Sequence, residues 1–277
     1  MKINGKILLK GLGLHSGREC ELLIEPYDCE EILMRSENNE LPLSKFELNG
    51  TNRGSDYIFP DGSKIKTCEH VLSALTGTGI YSGARITVTG GEMPALDGCG
   101  KLLSGEILKH SVDDDPFAIN GPLLKEGTQD SGGVIVSTED KKRFVAAFPS
   151  DRLHITYTVE YDFIGTQIFD YEHSPKNYYE NIASARTFAM EADINYLRSH
   201  GMALGGSLDN AIVVGEKIQA KGGLRWENEF VRHKVLDLIG DLASIGRPFN
   251  AHIIACRAGH ELHLKLAEKL RQNLKGE

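Results

Sequence analysis

The two halves of this chain end alike, and that repetition constrains the fold more than any other feature of the sequence. In the first half His70-Val71-Leu72-Ser73-Ala74-Leu75 heads a helical stretch, followed by the strand-like run Ala84-Arg85-Ile86-Thr87-Val88, a glycine-containing loop and a second helical stretch near 101–109. In the second half His233 heads a helical stretch, followed by Ala251-His252-Ile253-Ile254-Ala255, Gly259 and a helix over about 261–274. A unit of this kind cannot bury its apolar face alone, so two of them imply layers stacked on one another. The expected class is α+β: two similar layered domains, each a sheet packed on helices, arising from a duplication.

The run Val112-Asp113-Asp114-Asp115-Pro116 sets the expected boundary, because clustered like charges resist packing and proline breaks continuity. The domains are then 1–115 and 116–277. Strands are expected over 6–10 and 20–25, around Gly11-Leu12-Gly13-Leu14-His15-Ser16-Gly17. Those glycines do not have the dinucleotide-binding spacing, and no Walker lysine follows them. A helix is expected over 67–76, with Val71, Leu72 and Leu75 at core spacing, and a strand over 84–89. After the boundary come apolar runs at 133–138 and 144–148, then Leu153, Ile155, Tyr157 and Val159 alternating with polar residues. That period of two predicts a mostly antiparallel sheet.

Composition narrows the function classes. With 31 basic and 39 acidic residues the formal charge is −8, which disfavours a polyanionic partner, so no nucleic acid is expected. The longest apolar runs fall short of a bilayer span, and no signal peptide is read at the start, so a soluble protein without a transmembrane segment is expected. Five scattered cysteines with no Cys-x-x-Cys pair fit a reducing, cytoplasmic setting, and each reads as a small buried residue rather than a reactive thiol.

The most informative segment runs from Asn228 to Asp241. At helical spacing His233, Asp237 and Asp241 share one face, while Val235, Leu238, Ile239 and Leu242 form the opposite, core-facing stripe. An imidazole and a carboxylate one turn apart can reach a single ion, and such donors suit zinc at an open site with three protein ligands. Taken alone, the His-x-x-x-Asp pattern reads more readily as plain solvated surface. Glu69-His70 would place a proton acceptor beside a ligand at the head of the other helix. Arg257-Ala258-Gly259-His260 places a histidine in a turn after a strand, where a general acid can sit. His260-Glu261-Leu262-His263 is one residue short of the zinc-protease motif, and His263 is expected on the helix surface.

Seven strings occur in order along the chain: Gly11 to Gly17, Thr67-Cys68-Glu69-His70, Pro94-Ala95-Leu96-Asp97-Gly98, Ala185-Arg186-Thr187-Phe188, Leu204-Gly205-Gly206-Ser207-Leu208-Asp209-Asn210-Ala211, Phe230 to Asp241, and Ala258-Gly259-His260. Together they resemble the UDP-3-O-acyl-N-acetylglucosamine deacetylase family of lipid A biosynthesis. The resemblance implies one Zn2+ per chain held by His70, His233 and Asp237, with Fe2+ also compatible with those ligands. It implies Glu69 as general base and His260 as general acid oriented by Asp241. Lys234 would stabilise negative charge near the metal, Thr187 would donate to the oxyanion, and Phe188 would lie against the sugar.

The family also implies a passage for the fatty acyl chain within about 189–204, for which Met190, Ile194, Leu197, Met202 and Leu204 are apolar enough, with Gly205 alongside. The same residues would serve equally as ordinary core. The implied partner is a small acylated UDP-sugar, the implied site lies between the domains, and a monomer with at most transient contact to a membrane surface is expected. Cys68, the residues flanking Asp97-Gly98, and Glu261-Leu262-His263 depart from the family pattern without removing a proposed ligand or proton donor. The role of His15 stays open. Two other classes remain at this point: a binding protein that keeps the fold without catalysis, and a structural protein with no metal.

Overall fold

Along Glu19–Pro26 the buried residues Cys20, Leu22 and Ile24 alternate with more exposed ones, and Ala84, Ile86 and Val88 do the same along Ala84–Thr89. Two strands of this period pair and turn their apolar faces to one side. The computed structural model describes residues 1–51, 53–112 and 132–274. The first sheet has the order Ile7–Leu12, Glu19–Pro26, Ala84–Thr89, Leu33–Arg35, Glu40–Pro42. Ala84–Thr89 is antiparallel to Glu19–Pro26 and parallel to Leu33–Arg35.

The second sheet repeats this scheme strand for strand. Its order is Val134–Ser137, Phe144–Phe148, His252–Cys256, His154–Tyr161, Gly165–Glu172, and its central strand is antiparallel to Phe144–Phe148 and parallel to His154–Tyr161. The described helices are α1 (Glu69–Gly77), α2 (Lys101–Lys109), α3 (Pro175–Asn181), α4 (Glu191–Ser199), α5 (Glu229–Leu242) and α6 (His260–Leu274). In chain order α1 and α2 bracket one central strand as α5 and α6 bracket the other. The likeness read from the sequence is therefore present as a shared topology in an α+β fold. Of the expected linker, Val112 ends the short strand Ser111–Val112, and the rest lies outside the described residues.

Each half carries an insertion at the same point of this order, between the second hairpin and the helix that precedes the central strand. In the first it is a three-stranded sheet of Glu47–Thr51, Gly54–Ile58 and Lys64–Ile65. In the second it is Phe188–Met190, Ile212–Val214 and Ile218–Gln219, with α4 linking the first two as a parallel pair.

Two apolar cores form, one around Leu22, Ile86, Leu72 and Leu75, the other around Val145, Ile155, Val235, Leu238 and Ile253. The helices α1 and α5 meet between them. At their closest point a Cβ on Gly240 would lie 1.9 Å from the Glu69 carbonyl oxygen, so no side chain fits there. Gly240→Ala must push α1 away and is expected to lower stability by about 1–3 kcal/mol, the usual cost of overfilling a packed interior. A denaturation midpoint unchanged from wild type would show that the helices can part freely.

This close packing also settles what the polar face of α5 does. His233, Asp237 and Asp241 are only 2%, 1% and 1% exposed, so the helix is buried on both its apolar and its polar side. Solvated surface is excluded, and three buried polar groups must find partners inside the protein. Among the described residues no helix is long and apolar enough to cross a membrane.

Candidate active site and metal centre

Because α1 starts at Glu69, its first turn presents His70 to the buried face of α5. The His70 and His233 Nε2 atoms lie 3.4 and 3.3 Å from Asp237 Oδ1, and the two rings meet edge to face with centroids 5.0 Å apart. His233 Nδ1 donates to the Ala185 carbonyl at 3.1 Å, which leaves its Nε2 lone pair turned toward the cluster. Burial drives the His233 imidazole down to about 3, so it is neutral and able to ligate. Burial alone would raise the Asp237 carboxyl, but His233, Lys234 and His260 outweigh it and hold Asp237 well below the usual carboxylate range. Lys234 Nζ donates to Asp237 Oδ2 at 2.7 Å.

Asp237 Oδ1, in contrast, is buried and has no hydrogen-bond partner. A buried carboxylate oxygen left unpaired is costly, and a cation is the partner this cluster fits. One donor atom from each of His70, His233 and Asp237 lies within 4.8 Å of the others. Two further groups meet that spacing among the described residues, but hydrogen bonds already use them. His154, Asp170 and His252, on the sheet face away from the core, are tied through Asp170 Oδ1 and Thr156 at 2.7–3.0 Å. In the Asp241, His260, His263 group both rings donate to Asp241. The donor set and its orphaned oxygen make the His70, His233, Asp237 cluster the candidate metal centre.

Glu69 and His260 flank it. Glu69 is 3% exposed, accepts the Ser55 N–H at 2.9 Å, and has its carboxyl pushed up chiefly by burial. His260, at the head of α6, donates from Nδ1 to Asp241 Oδ2 at 2.9 Å and places Nε2 3.7 Å from Asp237 Oδ2. Burial pulls this imidazole down, yet the carboxylates of Asp241, Asp237 and Glu69 outweigh it and raise it to about 9. A carboxyl raised by burial and an imidazole raised by anions form the pairing of environments that acid–base chemistry uses.

His263 corrects a sequence expectation. It is not on the helix surface but fully buried, with Nδ1 2.7 Å from Asp241 Oδ2. Helical spacing places residues three apart on one face, and here that face is the one pressed against α5. Ser55, whose hydroxyl donates to Asp241 Oδ1, went unread because nothing local marks a serine in a strand.

A cavity of about 330 Å³ opens from this cluster. Thr187, Phe188, Ile194 and Leu197 line it, together with Lys234 and His15. Met190, Met202 and Gly205 are not among the lining residues. Met190 packs instead against the small core of Ile212, Val214 and Phe230. Gly205 donates from its backbone N–H to the Leu14 carbonyl, in a contact so close that a Cβ would lie 2.3 Å from Gly13 O. Leu204 is 54% exposed.

The segment that carries Thr187 and Phe188 is held by a buried ion pair. Arg186 donates to Glu229 through Nε at 2.8 Å and Nη2 at 3.0 Å, and its remaining donors reach the Lys221 and Gly223 carbonyls. Arg186 belongs to the string Ala185 to Phe188 and Glu229 directly precedes the one from Phe230, but nothing in the sequence shows that they pair across 43 positions. Thr187 itself bridges the halves, its N–H donating to the Gly98 carbonyl at 2.8 Å.

Fold and site together define a class: an α+β protein built on two five-stranded sheets, with a His, His, Asp candidate cation site at a cavity, flanked by a buried carboxyl and a buried imidazole. A profile of the UDP-3-O-acyl N-acetylglycosamine deacetylase (LpxC) family matches residues 1–272, and the chain belongs to that family. It is 35% identical to the UDP-3-O-acyl-N-acetylglucosamine deacetylase of Aquifex aeolicus (strain VF5), over 99% of this chain and 93% of the relative. It is 36% identical to the enzymes of that name from Syntrophus aciditrophicus (strain SB), over 94% of this chain and 82% of the relative, and from Campylobacter hominis, over 94% and 87%.

Proposed function

We propose that this chain hydrolyses the N-acetyl group of a UDP-linked 3-O-acyl-N-acetylglucosamine, releasing acetate and the free 2-amine, as the committed step of lipid A biosynthesis. The observation that carries the reading is the His70, His233, Asp237 triad, with its orphaned buried carboxylate oxygen, flanked by Glu69 and His260. Full-length similarity to deacetylases supports the choice of substrate.

His70, His233 and Asp237 would hold one Zn2+, for which Fe2+ can substitute on the same ligands. Such an ion supplies Lewis-acid polarisation of an acyl carbonyl and makes water a stronger acid. Glu69 takes a proton from the attacking water, and its burial keeps it basic enough to do so. His260, charged at neutral pH, gives a proton to the departing amine. Thr187 donates a hydrogen bond to the oxyanion, and the Lys234 ammonium offsets its charge. Phe188 packs against the sugar, while Ile194 and Leu197 border the path of the acyl chain.

The test is acetate release from the UDP-linked substrate by metal-quantified protein, across short and long 3-O-acyl chains. No release at any length would remove the activity. Release without preference for long chains would keep the chemistry and discard the passage. The enzyme is expected to act as a cytoplasmic monomer.

A bell-shaped dependence of kcat/KM on pH is expected. Its rising limb follows ionisation of Glu69 and lies above the ordinary carboxylate range, and its falling limb follows loss of the His260 proton. A bound cation repels protons from both groups, so the falling limb lies at or below pH about 9. A falling limb unchanged in His260→Gln would assign it to another group.

A further inference from the structure

Asp241 does not serve His260 alone. Its Oδ2 accepts His260 Nδ1 at 2.9 Å and His263 Nδ1 at 2.7 Å, while its Oδ1 accepts the Ser55 hydroxyl. On the far side of its ring, His263 Nε2 lies 2.9 Å from the Tyr157 hydroxyl, which lies 2.9 Å from the Ala258 carbonyl. Every member of this chain is buried: Tyr157 and His263 at 0%, Asp241 at 1% and His260 at 5%. We propose that His263, held in place by Tyr157, is a positioning residue that aims the His260 imidazole by fixing the carboxylate they share. The inference rests on the acid role given to His260 above.

A carboxylate that met only His260 could swing about its side-chain torsions, and the imidazole would follow it. Ser55 from the inserted strand pins one oxygen, and His263 pins the other from the same helix that carries His260. An ionised carboxylate only accepts, so the His263 Nδ1 must carry a hydrogen and face it. That demand fixes one end of the ring, and Tyr157, from the central region of the second sheet, fixes the other. His263 stands one turn after His260, so α6 can move only by carrying both rings together. Ala258 lies two residues before His260, and the Tyr157 hydroxyl stands 2.9 Å from both its carbonyl oxygen and the Nε2 of the ring that steadies the carboxylate.

Among the described residues nothing else nearby supplies the second hold on Asp241 Oδ2. Lys234, the nearest cation on the same helix, is spent on Asp237. Removing the His263 donor thus leaves that oxygen with one partner and the pocket with an unfilled acceptor position. Small misplacements of a reacting group cost up to about a hundredfold in rate.

The test uses the metal-loaded, full-length enzyme and three variants. His263→Leu is expected to lower kcat by roughly tenfold to a hundredfold with KM and metal content unchanged. His263→Asn, whose side-chain amide can occupy the place of Nδ1–H, is expected to restore kcat to within about threefold of wild type. Tyr157→Phe keeps both rings and removes only the outer hold, so a smaller loss of kcat is expected, which also keeps the proposal testable if His263→Leu does not fold. His263→Leu with wild-type kcat would overturn the proposal. So would equal losses in His263→Leu and His263→Asn, which would indicate packing alone, or an unaltered kcat in Tyr157→Phe. A wild-type enzyme that releases no acetate fails the underlying reading instead, and is recognised before any variant is measured.

Discussion

Glu69→Gln lowers kcat by about 10²–10⁴-fold and leaves the bound metal in place, and His260→Gln does the same, the range expected when a positioned acid or base is removed. Both groups touch the cavity without belonging to the triad of donor atoms. Glutamine keeps the volume of each side chain and one hydrogen-bonding atom at each contact, including the acceptor for the Ser55 N–H beside position 69. The loss is therefore chemical rather than architectural. The measurement is kcat together with metal content and denaturation midpoint. Turnover near wild type in either variant removes that residue from its role, and lost metal in either moves it into the ligand set.

His233→Ala has the opposite signature: the metal goes, and acetate release goes with it. This ring is 2% exposed, neutral, and oriented by the Ala185 carbonyl. Alanine leaves two donors where three are needed, and it leaves the Asp237 carboxylate with one neighbouring ring fewer in the protein interior. Ligand loss in such sites costs far more affinity than loss of an outer hydrogen bond, which is itself worth about 10–100-fold. Dialysis against a chelator should mimic the variant in the wild-type protein, and added Zn2+ should restore the wild type but not the variant. Deacetylation that survives chelation would contradict the metal assignment altogether.

The candidate ligands and the carboxyl and imidazole proposed beside them were legible through the order of the motif strings and the resemblance they carry, and the alternation of strands and helices through local spacing. His233 and Asp237 stand one helical turn apart, Glu69 and His70 are neighbours at a helix head, and Leu153 to Val159 keep a period of two. Spacing tells which residues share a face. It does not tell which surface that face meets. His263 shows the limit: its position three residues after His260 places both on one side of α6, and only the packing of α6 on α5 makes that side interior. Met190 and Met202 show the same limit, being apolar enough for a passage yet absent from the cavity wall.

What the chain determined by itself is the set of chemical groups and the elements that carry them, since periodicity, capping and motif order depend on near neighbours. What only the tertiary structure decided is which groups meet. Gly240 lets α1 and α5 touch, and that contact brings His70 to a pair of donors more than 160 residues later in the chain. Ser55, Tyr157 and Arg186 meet their partners 186, 106 and 43 positions away. Hydrogen bonds and ligand sets are short-ranged in space but indifferent to distance along the sequence, so their partners are specified only once the two cores have packed.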